Sequence, residues 1–138
     1  RVVRPGGPLS VVTWTQPQNY ELGAELRAAI QSIWPEQPPA PLPAQLRYRE
    51  ESDFRALFRA AGLGEPVITT ETARLEAPSA RWLAERIDFA PGMAAMMAGL
   101  RHRGPDVIQR FVDNLETRLG RGPIGLSGVA FIGSAQVL

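Results

Sequence analysis

The chain has 138 residues, of which 44% are hydrophobic and 21% charged, and its formal net charge at pH 7 is +1. This composition is typical of a globular domain with a core of its own and excludes a disordered chain. No stretch approaches the roughly 20 apolar residues of a membrane span, and without cysteine neither a disulfide nor a thiolate metal site can form.

The charge pattern argues against a nucleic-acid partner. All 15 basic residues are Arg, and they are scattered along the chain and balanced by 14 acidic residues. A nucleic-acid-binding protein is expected to gather its positive charge into a patch. With no cysteine and no apolar span, we predict a cytoplasmic protein without a nucleic-acid or membrane partner.

The opening residues, Arg1-Val2-Val3-Arg4-Pro5-Gly6-Gly7, predict a turn that leads into a strand. Proline fixes φ and glycine accepts positive φ, so this run favours a tight reversal. The strand, about residues 9–14, is β-branched and almost uninterrupted, which is typical of a strand covered on both faces of a parallel sheet. A chain that starts on such a unit is expected to be the later part of a larger protein.

Two helices with a proline-rich connector follow. The first is predicted over about residues 20–34, with Asn19 as its N-cap and a proline-rich connector at 35–43. The second is predicted over 53–61, with Ser52 as its N-cap. Gly62 stands where a left-handed C-terminal cap is expected.

The rest of the chain alternates between strand and helix patterns. We predict a strand over 67–75, helices between 79 and 120 with the most regular one over 106–119, and a terminal strand over 129–138. The apolar stripes of the middle helices contain Trp82, Leu83 and Ile87 and then the Met-rich run from Met93. The predicted order is β-α-α-β-ααα-β.

Several of these features together resemble one protein family. They are Arg-Val-x-Arg-Pro-Gly-Gly-x-Leu at residues 1–9, Ser-x-Phe-x-x-Leu-Phe-x-x-Ala-Gly-Leu at 52–63, the following Val-rich strand, and the final strand. The set is similar to the C-terminal half of a class I S-adenosylmethionine-dependent methyltransferase of the group that acts on small molecules. The similarity covers residues 1–14, 52–76 and 124–138.

The resemblance implies an α/β fold, the C-terminal half of a doubly wound, Rossmann-like methyltransferase sheet. The strand 9–14 would be the fifth of seven, and the last strand would insert antiparallel between it and the strand 67–75. Residues 1–138 would form a single partial domain, with helical lid insertions over about 19–46 and 79–123. Because the outer edge of the first strand would lack its neighbour, we expect an oligomer or a complementing N-terminal half.

The cofactor site that the resemblance implies is missing from this sequence. In the family, a Gly-rich turn after the first strand holds S-adenosylmethionine, by the same logic as in dinucleotide-binding folds. No such run follows a strand here, and the Gly-rich residues 120–125 follow a helix and contain Pro123. We therefore expect no cofactor-binding residue in this chain and S-adenosylmethionine binding only in the full-length parent.

The candidate substrate-side residues fall at the end of the first strand and in the inserted helices. In doubly wound sheets, ligands bind beyond the carboxyl ends of the strands, and Met suits a pocket that adapts to an apolar ligand. Ordinary core packing explains the same residue types equally well. The candidates are Thr13, Trp14, Thr15, Tyr20, Trp34, Met93, Met96 and Met97.

Other reactive residues indicate no catalytic group or metal site. His102 stands between two Arg at a helix end, and Glu21 with Glu25 has the spacing of a solvated helix face. Ser79 and Ser127 have no partner base in the sequence pattern. Two functions remain open: methyl transfer to a small, apolar metabolite by the full-length parent, or a non-catalytic ligand-binding or dimerisation module.

Overall fold

The computed structural model describes residues 3–36, 38, 47–89 and 91–138. This part of the chain is a mixed α/β structure with a three-stranded antiparallel sheet and five α-helices. The elements are β1 (Pro8–Trp14), α1 (Glu21–Ile33), α2 (Glu51–Ala60), β2 (Val67–Ala77), α3 (Ala80–Arg86), α4 (Pro91–His102), α5 (Pro105–Leu119) and β3 (Ile124–Gln136). Short 3-10 helices span Pro17–Asn19 and Ile87–Phe89.

The sheet has the strand order β1-β3-β2, which confirms the predicted order. β1 and β3 run antiparallel in a register that pairs Pro8 with Gln136 and Trp14 with Ala130. The C-terminal strand therefore lies between two strands that precede it in sequence. Antiparallel pairing of the last strand with the first was also predicted and is confirmed.

The prediction that β1 is covered on both faces is wrong. Exposure alternates along β1, and the side chain of Val12 is 65% exposed. Within the described sheet, β1 is paired only with β3, so it is an edge strand. A run of β-branched residues is typical of a fully covered strand, but one-sided packing accepts the same residues when only alternate side chains reach the core.

The described residues divide into two compact units. The sheet unit contains residues 3–21, 47–74 and 127–138, and the helical unit contains 22–36, 38, 75–89 and 91–126. The predictions of a single partial domain and of helical lids stay predictions. The part of the proline-rich connector from 39 to 43 lies outside the described residues.

The core of the sheet unit forms where α2 packs against β3. Phe54 and Phe58 are completely or almost completely buried and meet edge to face, with ring centroids 5.3 Å apart. Gly133 allows this close approach, since a Cβ there would lie 2.7 Å from Cζ of Phe58 and 2.8 Å from Cε1 of Phe54. The ring of Phe131 stacks on Phe54 with centroids 5.9 Å apart.

One predicted cap of α2 is wrong and the other is confirmed. The helix begins at Glu51 with Glu50 as its N-cap, so Ser52 lies inside the first turn instead of capping it. At the other end Gly62 has φ +67°, and its N–H donates to the carbonyl of Arg59 while the N–H of Leu63 donates to that of Phe58. These two bonds are those of a Schellman cap, which requires the left-handed residue that glycine supplies.

The helical unit buries one apolar side of each of its helices. Polar contacts join α1 to α5: Nε of Arg118 lies 2.6 Å from Oε2 of Glu25, and Arg110 donates to the carbonyl of Ile33. Arg81 of α3 pairs with Glu116 of α5 at 3.0 Å. The buried residues of this unit include Leu26, Ala29, Ile33, Leu83, Ile87, Met97, Leu100, Phe111, Val112 and Leu115.

Several predicted details of the elements are corrected. Asn19 closes a 3-10 turn and α1 starts two residues later, so Asn19 is not its N-cap. β3 begins at Ile124, five residues before the predicted start. Trp82 is not on the buried stripe of α3 but is 36% exposed, with the guanidinium of Arg86 4.8 Å from its ring centre.

Candidate functional site

The end of β1 places two buried threonines beside a half-buried tryptophan. Thr13 and Thr15 are 7% and 4% exposed. The backbone holds them firmly, because Trp14 pairs with Ala130 and the N–H of Thr15 donates to the carbonyl of Val129 at 2.9 Å. The three predicted residues at this strand end therefore lie on backbone that is hydrogen-bonded to β3.

Trp14 and Tyr20 form a stacked pair. Their ring centroids are 4.6 Å apart and their planes differ by 14°, a stacked arrangement of two aromatic rings. On β3, Gly128 lies against Trp14 so closely that a Cβ there would lie 2.7 Å from Cζ3 of the indole. We call Trp14, Tyr20 and Gly128 the aromatic corner.

A short polar segment brings Tyr20 to this position. The 3-10 helix Pro17–Asn19 reverses the chain after β1, and the N–H of Asn19 donates to the carbonyl of Gln16. Nδ2 of Asn19 lies 3.5 Å from Oγ1 of Thr15, within reach of a hydrogen bond. The backbone of Tyr20 then forms an antiparallel bridge with Gly128, so both aromatic residues are attached to β3.

Glu21 extends this attachment by one residue. Its Oε2 accepts a hydrogen bond from the backbone N–H of Ser127 at 2.6 Å. Hydrogen bonds from the backbone and the side chain of Ser127 hold the pKa of the Glu21 carboxyl below its usual value of 4.5, with a smaller contribution from the positive charge of Arg74. The sequence predicted a solvated helix face for Glu21, and no local signal could reveal a partner 106 residues away.

The other four predicted residues belong to the helical unit. Trp34 follows α1, and the guanidinium of Arg103 lies 4.4 Å from the centre of its ring. On α4, Met97 is 2% exposed, whereas Met93 and Met96 are half-buried. Of the eight predicted residues, the structure thus shows Trp14 and Tyr20 in direct ring contact. The assignment of all eight to a substrate site stays a prediction.

The chemistry available at the aromatic corner is binding and orientation. A general acid or base at neutral pH needs a pKa near 7, and the lowered pKa of Glu21 makes its carboxylate a weak base even though it contacts Ser127. His102 lies exposed in the last turn of α4, and Ser79 caps α3 by accepting a hydrogen bond from the N–H of Trp82. In the described ranges no three His, Asp or Glu side chains group as metal ligands.

Comparison with solved structures finds chains that are similar to this one. The chain is similar to a protein of Bacillus halodurans C-125 described as a "putative methyltransferase", with 14% sequence identity and a TM-score of 0.36. The likeness covers 99% of this chain and 53% of the other, so the chain spans about half the length of the Bacillus protein. No family model and no curated protein matches the chain. Every helix within the described ranges is too short or too polar to cross a membrane.

Proposed function

We propose that this chain forms the substrate-side part of a class I S-adenosylmethionine-dependent methyltransferase that acts on a small, apolar metabolite. The observation that carries the proposal is the strand order β1-β3-β2 with β3 antiparallel to β1. This is the order that the sequence resemblance implies for the fifth, seventh and sixth strands of such a sheet. A C-terminal strand placed between two earlier strands is an uncommon connection, because sequential strands are usually neighbours.

The residues of this chain do not fit S-adenosylmethionine. A cradle for the cofactor needs glycine and free backbone N–H groups directly after a strand. After β1 the chain continues as Gln16-Pro17-Gln18, which has no glycine and contains a proline without an N–H. After β2 it continues as Pro78-Ser79, and Ser79 already caps α3. The cofactor cradle is therefore assigned to another part of the parent protein.

The role left to this chain is to hold the methyl acceptor. Methyl transfer from a sulfonium depends largely on the position of the acceptor atom, since orientation alone can lower a barrier by several kcal/mol. Trp14 and Tyr20 offer a stacked aromatic surface for the acceptor, whereas the side chain of Thr13, which alternates with Trp14 along β1, is buried on the other face of the strand. Trp34 and the three methionines of α4 belong to the helical unit, and their assignment to a substrate site stays a prediction from the sequence.

The proposal is tested by measuring S-adenosylmethionine binding to two polypeptides by calorimetry. One is the 138-residue chain, and the other is the protein as its gene encodes it, including whatever precedes Arg1. We expect micromolar binding by the encoded protein, a Gly-rich strand-turn-helix upstream of Arg1, and no tight binding by the 138-residue chain. Micromolar binding by the 138-residue chain would contradict the division of roles, and absence of binding to both would contradict the methyltransferase.

The position of β1 favours a second candidate, a non-catalytic ligand-binding or dimerisation module. β1 is an edge strand of the described sheet, and Val12 on it is 65% exposed. Exposed edge strands pair readily with other chains. Sedimentation equilibrium of the 138-residue chain and of the encoded protein tests this candidate. A dimer in both samples, together with the absence of a Gly-rich turn upstream of Arg1, supports the module.

A further inference from the structure

β2 forms one edge of the described sheet, because it is the last strand in the order β1-β3-β2. We propose that β2 pairs antiparallel with β2 of a second copy of this chain, about a two-fold axis at Thr72. Two three-stranded sheets then join into one sheet of six strands. This inference goes beyond the proposed function and does not depend on it, since β1 at the opposite edge takes no part in the pairing.

The first supporting observation is the length and the composition of β2. The strand spans 11 residues, Val67–Ala77, whereas strands commonly have about five or six. Native edge strands usually avoid pairing by being short or by carrying a proline or a bulge. No proline or glycine interrupts β2, and five of its first six residues are β-branched. A long edge strand of this composition is suited to pairing with another strand.

The second observation is that the middle of β2 is exposed on both faces. Residues 69–74 are all exposed, although successive side chains of a strand point to opposite faces. β1 differs, because its exposure alternates and Thr13 is buried. Over residues 69–74 apolar packing therefore contributes little to the extended form of β2. Pairing along the outer edge supplies further backbone hydrogen bonds and cross-strand contacts.

The third observation is that β2 is complementary to itself about its midpoint, which identifies the partner as a second copy. Antiparallel pairing about Thr72 aligns the whole strand and sets Thr72 opposite Thr72 of the second copy. Glu71 then faces Ala73 of the other strand. Arg74 faces Thr70, so neither charge meets a like charge. Moving the axis to Glu71 or to Arg74 sets like charges directly opposite each other, which destabilises a pair of strands.

The first test uses single cysteines, because the chain has no cysteine of its own. In the proposed pair the two Thr72 positions lie directly opposite, with Cβ atoms about 4.5–5.5 Å apart, and a disulfide spans about 3.5–4.5 Å. A small shift of the strands therefore closes the bond. We expect Thr72→Cys to give a disulfide-linked dimer on mild oxidation, seen by non-reducing gel electrophoresis.

Ala73→Cys is the matched control, because Ala73 is the next residue of β2 and is also exposed. In the proposed register the two Ala73 positions are diagonal neighbours, about 7–8 Å apart, which is beyond the reach of a disulfide. Ala73→Cys should therefore give little or no linked dimer. Equal cross-linking of the two variants, or no cross-linking of Thr72→Cys, would overturn the inference.

Charge at position 70 gives a second, independent measurement. Thr70→Glu sets a carboxylate opposite Arg74 on each side of the axis, whereas Thr70→Arg sets two like-charge pairs there. We expect Thr70→Glu to lower the Kd of the dimer about two- to thirtyfold, and Thr70→Arg to raise it by a similar factor. Sedimentation equilibrium measures both. The same substitutions at the exposed Gln18 change the net charge equally and should leave the Kd unchanged.

A dimer that joins through β1 is the competing arrangement. It gives the same sedimentation result for the unsubstituted chain, but it leaves the two Thr72 positions apart and makes the Kd insensitive to charge at position 70. Either result overturns pairing through β2, and so does a chain that stays monomeric at every concentration. Failure of the proposed function looks different. Absence of S-adenosylmethionine binding by the encoded protein removes the methyltransferase and leaves the Thr72 cross-link unaffected.

Discussion

Oε2 of Glu21 lies 2.6 Å from the backbone nitrogen of Ser127, so the first residue of α1 is tied to β3 across 106 positions of sequence. The neighbouring pair, Tyr20 and Gly128, is joined by a backbone bridge. Tyr20, which precedes α1, and Glu21, its first residue, thus hold two consecutive residues of β3. This double attachment fixes Tyr20 where its ring can stack on Trp14.

The charge of Glu21 is expected to stabilise the fold at neutral pH and not in acid. Its folded-state pKa is below the usual 4.5, so its contribution is fully present above that value and is lost as the pH falls through the folded-state pKa. Glu21→Gln should therefore lower the Tm at pH 7, and the difference from the unsubstituted chain should shrink below about pH 4. Circular dichroism melts between pH 3 and pH 7 measure this.

Glu71→Gln is the matched control for Glu21, because Glu71 is an exposed glutamate on β2. Its substitution should change the Tm little at any pH. A Tm difference for Glu21→Gln that is as large at pH 3 as at pH 7 would show that the carboxylate charge is not the cause.

Gly128→Ala is expected to push the indole of Trp14 away from β3 and out of its stack with Tyr20. The added Cβ would lie 2.7 Å from Cζ3 of Trp14, and relief of such a contact typically costs about 1–3 kcal/mol in the free energy of unfolding. Near-ultraviolet circular dichroism should lose intensity, and urea denaturation gives the free energy. In a double-mutant cycle, Gly128→Ala should cost much less when Trp14 is already Val.

Gly133→Ala is expected to destabilise the sheet unit through α2. The added Cβ would lie 2.7–2.8 Å from the rings of Phe54 and Phe58. Both rings are buried, so they can shift only by displacing the residues packed around them. We expect a loss of about 1–3 kcal/mol in the free energy of unfolding, measured by urea denaturation. Gly99→Ala in α4, where a Cβ meets nothing within 4 Å, should instead stabilise by about 0.5–1 kcal/mol. Equal effects of both substitutions would contradict the packing of α2 on β3.

The two serines that the sequence places near helix starts should respond differently to alanine. Oγ of Ser79 accepts the N–H of Trp82 at 3.1 Å, and loss of such an N-cap costs about 1 kcal/mol. Ser52 lies inside the first turn of α2, so Ser52→Ala should be neutral or slightly stabilising, since alanine is the better helix former. Thermal unfolding of both variants measures the two effects. A larger loss of stability for Ser52→Ala than for Ser79→Ala would indicate that Ser52 caps α2.

Local sequence patterns predicted the helices and strands, but not all of their caps or the faces that are buried. The helices and strands were found because their apolar spacing and their Gly and Pro breakers are properties of short segments. The left-handed cap at Gly62 is such a case, since the residues from 57 to 63 contain all of its bonds. The N-cap of α2 was misplaced by two residues because Ser52 is a preferred cap residue, whereas the helix begins after Glu50, which caps it without a side-chain hydrogen bond, and acidic residues in the first turn favour that start.

At the candidate site, too, single residues could be proposed from the sequence, whereas the contacts between them could not. Thr13, Trp14 and Thr15 could be proposed from sequence because the end of a strand is a local feature, and Tyr20 because an aromatic residue stands at a helix start. The stack of Trp14 on Tyr20, and the bond from Ser127 to Glu21, depend on β3, which joins them from more than 100 residues away. No local pattern contains that information.

The sequence by itself determined which segments form helices and strands, and its resemblance to a family gave the strand order. Tertiary structure decided which faces are buried: β1 reads as a strand covered on both sides, yet Val12 is 65% exposed, because burial depends on what packs against a strand and not on its own residues. It also decided that Gly128 and Gly133, which in sequence only weaken a strand, are positions where β3 allows the close approach of an aromatic ring.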